Sequence, residues 1–151
     1  MNQRRLLVFA LGASLACHVA LLQAQTTAWM MRRVGVLAPS TRVKDEITLA
    51  HFFDQMRELG WVQGQNIAYD RVYADDQQQM LPRLAAELAA RKPEVILAPV
   101  TPATVAAMQA TQTIPIVFAV AIDPVGIGLV ESFAHPGGNV TGITFSESLA
   151  P

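Results

Sequence analysis

The sequence predicts a doubly wound α/β fold, with a mostly parallel five-stranded sheet in the flavodoxin-like order 2-1-3-4-5. Three observations carry this. Short apolar runs without polar alternation recur along the chain, as strands buried on both faces require. Between them lie apolar stripes at helical spacing. The joining segments are short, which suits right-handed βαβ crossovers.

Val34-Gly35-Val36-Leu37 is the first strand, closed by Pro39-Ser40-Thr41. Leu49, Phe52, Phe53, Met56 and Leu59 then share one helical face, with Asp45 or Thr48 as the starting cap and Gly60 as a left-handed stop. After the Gly64-Gln65-Asn66 turn, Ile67 to Tyr73 alternates but carries Asp70, too polar for a central strand, so it is placed at a sheet edge. Leu81, Leu84, Ala85, Leu88 and Ala89 form the second helical stripe, with Pro82 in its first turn, Arg91-Lys92 complementing the dipole and Pro93 beyond its end.

Val95 to Ala98 is the next buried strand. Thr101-Pro102 then reads as a capping hydroxyl followed by proline at the first helical position, opening a helix through Ala110. Ile116 to Val120 is a fourth strand. Asp123-Pro124 repeats the cap-and-proline signature before a short helix to about Phe133, and Pro136-Gly137-Gly138-Asn139 turns into a fifth strand, Val140 to Phe145.

Composition limits the function. With 11 Lys+Arg against 12 Asp+Glu and no basic cluster, the chain offers no footprint for a phosphate backbone, so no nucleic-acid partner is expected. One cysteine, Cys17, with His18, His51 and His135 scattered singly, gives neither an internal disulfide nor metal-ligand spacing. No metal and no cofactor are expected. An apolar fraction of 52% is too high for disorder and implies a packed core.

Arg4-Arg5, the apolar stretch Leu6 to Leu22 and the small, polar exit Gln23 to Thr27 have the three regions of a secretory signal. Residues 1–24 are therefore expected to be removed after Ala24, leaving a mildly acidic exported domain, 25–151, in the periplasm. The alternative export route is lipidation at Cys17, although Ser14 stands where that motif expects leucine. A different reading starts a cytosolic chain at Met30 or Met31, giving a flavodoxin-like enzyme or regulatory domain, and a third makes the chain an autonomous ligand-sensing module.

Doubly wound sheets bind ligands at the carboxyl ends of their strands. The first turn there, Ala38 to Arg42, lacks the glycines of a dinucleotide fingerprint, and neither GxxxxGK[ST] nor GxSxG occurs. Nucleotide binding and hydrolase chemistry are disfavoured, and no catalytic residue is assigned. What remains is a set of hydroxyls and backbone donors. Thr101 with the amides of Ala103 and Thr104 forms a helix start that favours a carboxylate, or Thr101 only caps its helix. Asp123 either meets an ammonium group or caps, with the structural role preferred; Ser40 and Thr41 either bind ligand or finish a turn. Gly126, Gly128, Gly137 and Gly138 are read as backbone devices and Trp61 as a packing residue.

Several runs also carry a resemblance. Leu59-Gly60-Trp61-Val62-Gln63-Gly64-Gln65-Asn66-Ile67, Ala85 to Leu88 before Pro93 to Leu97, Thr101-Pro102-Ala103 and Thr113 to Phe118 are among them. With Asp123-Pro124-Val125-Gly126, Gly128-Leu129-Val130 and Pro136 through Gly142, in this order and spacing, the chain resembles the TrpX-like substrate-binding proteins of ABC transporters from about Arg33 to Thr144. The resemblance implies an exported type I periplasmic binding protein without catalysis, whose lobes close on a small solute, an amino acid among the candidates, and deliver it to an ABC permease in the membrane. Members of that family are much longer, so the expectation is an amino-terminal lobe with its second lobe missing. Where the family commonly has glycine before the Thr-Pro pair, this chain has Val100, which crowds the helix start.

Overall fold

The computed structural model describes residues 31–144. In chain order they form β1 (Arg32–Ala38), α1 (Arg42–Thr48), α2 (Ala50–Glu58), β2 (Ile67–Tyr73), a 3₁₀ turn (Gln78–Met80), α3 (Leu81–Ala90), β3 (Val95–Leu97), α4 (Thr101–Ala110), β4 (Ile116–Phe118) and β5 (Val140–Gly142). Every strand pairing is parallel and the sheet order is β2-β1-β3-β4-β5, as the sequence predicts. The proposed signal segment, Cys17, Met30 and Phe145 lie outside the described residues.

Alternation along β1 sends its side chains to the two faces of the sheet. Leu37 joins Leu81, Leu84, Leu88, Ile96, Ala103, Ala107 and Ile116 in the larger core, beneath α3 and α4. Val34 and Val36 join Leu49, Ile67 and Leu97 in the smaller one, beneath α1 and α2. Gly35 is what lets α3 settle on the sheet, because a Cβ there would stand 3.0 Å from Leu88, which is wholly buried. Burying such a leucine is worth about 1.5–3 kcal/mol.

The first helical stripe forms as two helices that break at Leu49 (φ −97°, ψ 5°). The starting cap is neither Asp45 nor Thr48 but Thr41, whose hydroxyl accepts from the Lys44 amide at 3.4 Å. Thr48 spends its hydroxyl on the Lys44 carbonyl at 2.9 Å, and Asp45 is buried at 2% exposure, so neither side chain is placed to cap. Gly60 does adopt the left-handed backbone the stop requires, at φ +89°. Asn66 then pins the following loop, accepting from the Val62 amide and donating to the Gly60 carbonyl, each at 2.8 Å.

β2 lies at the edge, and its polarity is accounted for there. Asp70 pairs with Arg33, while Tyr69 packs edge-on against Phe53 with ring centroids 4.9 Å apart. The predicted helix after Asp123 does not form. Residues 124–128 make successive turns instead, because Asp123 and Gly128 take positive φ (47° and 72°), and buried Leu129 and Val130 hold the segment to the larger core. Before β5, the Asn139 amide group donates to the Ile114 carbonyl at 2.7 Å and the Thr111 carbonyl at 3.3 Å.

Candidate functional site

In the order β2-β1-β3-β4-β5 the chain reverses its winding between β1 and β3. Open α/β sheets bind ligands outside the carboxyl ends of their strands at such a reversal, which here falls between the loops that leave β1 and β3. The loop after β1 carries Ser40 and Thr41, and the segment after β3 runs Ala98-Pro99-Val100 into α4.

The second segment is held firmly. Val100 bridges to Val120, and the Val120 amide donates to the Pro99 carbonyl at 2.9 Å, so the ladder between β3 and β4 continues past both named strands. That extended pairing corrects the reading of Thr101 as a cap. Val100, in extended backbone (φ −135°, ψ 161°), takes the cap position without a side-chain bond, and Thr101 is already helical. The Thr101 hydroxyl instead accepts from the Ile122 amide at 3.4 Å, which joins the α4 start to the loop bearing Asp123.

Ala103 and Thr104 stand differently from the expectation. The Thr104 amide donates to the Val100 carbonyl at 3.0 Å, and its hydroxyl donates to the carbonyls of Ala98 and Val100 at 3.1 and 3.0 Å. Thr104 is fully buried with its donors spent on the β3–α4 junction. Ala103 has no intrahelical partner for its amide, as the third residue of a helix never does, yet the whole residue is buried in the larger core. Pro102 has no N–H to offer. At this helix start Thr101 is half-buried and Pro102 exposed.

Asp123 is exposed, and one carboxylate oxygen accepts from the Gly126 amide at 3.0 Å. That bond explains the need for glycine, since a Cβ at position 126 would overlap the Asp123 carboxylate. Thr41 caps α1, while the Ser40 hydroxyl has no hydrogen-bond partner among the described residues. The structure thus joins Thr101 to the Asp123 loop, while Ser40 and Thr41 lie on the loop after β1.

The sequence reading missed a further feature of the same end of the sheet. Asp75 and Asp76, after β2, both take positive φ (50° and 63°); the Asp76 amide donates to the Pro39 carbonyl at 3.0 Å and its carboxylate pairs with Lys44 at 2.6 Å. These contacts brace the loop that carries Ser40. The consecutive aspartates directly after an edge strand were the available signal, since aspartate tolerates left-handed backbone better than most residues. Among the described residues, no group of three or more His, Cys, Asp and Glu side chains is placed to hold a metal ion, and no helix is long and apolar enough to cross a membrane.

Comparison with known proteins adds to this geometry. A family model described as ABC transporter substrate binding protein matches residues 43–150. A tyrosine-binding protein of Clostridioides difficile is 36% identical over 91 residues, covering 60% of this chain and 26% of the relative. Among solved structures, the ligand-free, open form of a substrate-binding protein with adhesive properties from Clostridium difficile superposes with a TM-score of 0.71 at 29% identity, covering 79% of this chain and 40% of that one. An ABC domain from Streptococcus pneumonia in complex with L-Trp gives a TM-score of 0.69 at 26% identity, over 76% of this chain and 38% of the other. A conserved domain protein from Vibrio cholerae gives 0.69 at 31% identity. The chain spans 26% of the curated relative's length and 38–40% of the first two structures.

Proposed function

The chain belongs to the ABC transporter substrate-binding protein family, and from that premise we propose that it is the ligand-gripping amino-terminal lobe of an exported solute-binding protein. Its family is one of binding proteins rather than of enzymes. The single observation that carries the proposal is the placement of Ser40 and Thr41 on one side of the sheet's reversal point and of Thr101 and Asp123 on the other.

In this reading the ligand is an amino acid. Relatives that bind tyrosine and L-Trp support that class. The ligand carboxylate meets the Ser40 hydroxyl and the Thr101 end of α4, where the helix dipole favours negative charge. Its ammonium group meets the exposed Asp123 carboxylate. Thr41 holds the first loop in shape by capping α1. Catalysis plays no part: the lobe holds its solute for a membrane permease, and residues 1–24 direct the chain to the periplasm before removal.

Two-lobed sites bury most of their ligand, so a single lobe should bind weakly. Nuclear magnetic resonance titration of the chain with L-tyrosine and L-tryptophan tests the reading at millimolar affinity. The expected result is shifts confined to residues 38–41, 98–102 and 120–126, reduced by Ser40→Ala. Shifts that fall elsewhere, or no response to either amino acid, overturn the assignment of this site.

A further inference from the structure

On the α1–α2 side of β2 lies a second polar cleft, of about 410 Å³, lined by Arg42, Glu46, Gln63, Tyr69, Arg71 and Tyr73. β1 separates it from β3 and β4, and therefore from the Thr101–Asp123 rim. Nothing in the solute-binding reading uses it.

Arg71 differs from its neighbours in how its charge is met. Every other arginine among the described residues forms an ion pair with a carboxylate, from Arg32 with Glu94 to Arg91 with Glu87. Arg71 forms none. Its guanidinium lies 4.1 Å from the Phe53 ring centroid and 5.6 Å from that of Tyr69, and makes one long contact, 3.5 Å, with the Gln63 side-chain oxygen. The faces of these rings hold the cation by cation–π attraction and leave most of its five donors unused. In the same lining the hydroxyls of Tyr69 and Tyr73 are buried with no partner among the described residues, as is Oδ2 of Asp45 behind it. Buried hydroxyls are nearly always hydrogen-bonded, so an orphaned pair in the lining that holds an unpaired fork marks donors without an acceptor.

The charges agree with that. Arg42 is offset by Glu46, leaving Arg71 as the net positive charge of the lining. Asp45 is near enough to feel Arg71, but it is buried at 2% exposure and is not part of the cleft wall.

We propose that this cleft is a second binding site, taking a small carboxylate- or phosphate-bearing anion on the Arg71 fork with the Tyr69 and Tyr73 hydroxyls donating to it. A planar, pre-stacked guanidinium matches both anions in two parallel bonds. Arg42, already engaged with Glu46, contributes field rather than contact.

Succinate and inorganic phosphate serve as the probes, titrated separately into the isotope-labelled full chain at constant ionic strength and followed by magnetic resonance. Saturable shifts at the Arg71 side chain and at residues 42–46 and 69–73 are expected from one probe or both, and the probe that saturates names the anion. Arg71→Gln should raise the dissociation constant about tenfold or more, and Tyr73→Phe about threefold. Thr101→Ala should leave it unchanged. Arg71→Gln also removes the stack on Phe53, so Tyr73→Phe, which keeps its ring, decides the matter if that variant fails to fold. Absence of saturation by either probe at tens of millimolar, or wild-type binding by Tyr73→Phe, overturns the proposal.

Discussion

The Ile122 amide donates to the Thr101 hydroxyl oxygen at 3.4 Å, so the first residue of α4 anchors the loop that carries Asp123. Thr101→Ala should therefore cost about 0.5–1.5 kcal/mol, the net worth of one hydrogen bond. Hydrogen exchange locates the loss. Exchange should quicken at Ile122 and stay unchanged at Thr104, whose amide is held by Val100. Thr101→Ser should restore both stability and protection. Faster exchange at Ala103 or Thr104 instead would mean that the hydroxyl caps α4 after all.

Gly35 and Leu88 set how closely α3 approaches the sheet. A Cβ on Gly35 would meet two Leu88 carbons at 3.0 Å, and Leu88 has no exposed side into which to move. Gly35→Ala should destabilise the chain by about 1–2 kcal/mol in urea denaturation, as overpacking of a filled core does. The double variant Gly35→Ala with Leu88→Val should recover part of the loss relative to Leu88→Val alone. Strict additivity of the two changes would show that Gly35 matters for something other than Leu88.

The fold was legible because its signals were periodic or fixed by backbone chemistry. Val34 to Leu37 read as a doubly buried strand, Asp70 marked the edge strand, and Gly60 marked a left-handed stop; each is where the periodicity placed it. Boundaries that depend on tertiary contacts were not legible. Val100 takes the cap from Thr101 because it bridges to Val120, a residue of another strand's extension. The helix after Asp123 gives way to turns because two positive φ values and two buried anchors, Leu129 and Val130, outweigh the Asp-Pro signature. Arg71 escaped notice for the same reason. Its lack of a carboxylate partner is a fact about side chains brought together only by the fold.

Asn66 closes the loop between α2 and β2 with one bond in each direction, accepting from Val62 and donating to Gly60 at 2.8 Å. Asn66→Ala should cost about 1–3 kcal/mol, the sum of two such bonds. Asn66→Asp keeps the acceptor but sets a carboxylate oxygen against the Gly60 carbonyl. It should be no more stable than alanine at neutral pH and should recover as the carboxyl is protonated. A thermal unfolding series over pH reads this directly, and an aspartate variant as stable as wild type at neutral pH would show that the Gly60 bond contributes nothing.

Asp45 supplies a pH dependence of the same sign in the native chain, from burial. Burial holds its carboxyl above the ordinary value of 3.8; the attraction of Arg71 works against the rise and the charge of Glu46 adds to it. A raised native pKa means that, between the ordinary value and the raised one, the folded chain binds more protons than the unfolded chain. Stability contributed by this group therefore falls as pH rises through that window, and the full penalty of a buried charge persists above it. Asp45→Asn has no such titration. The variant should gain on wild type as pH rises and level off above the window, with the difference constant below pH 3.8. Denaturation midpoints measured at fixed slope from about pH 3 to pH 8 give the curve. A difference that moves the other way, with wild type gaining as pH rises, would show that the ionised Asp45 is held by Arg71 more strongly than burial penalises it.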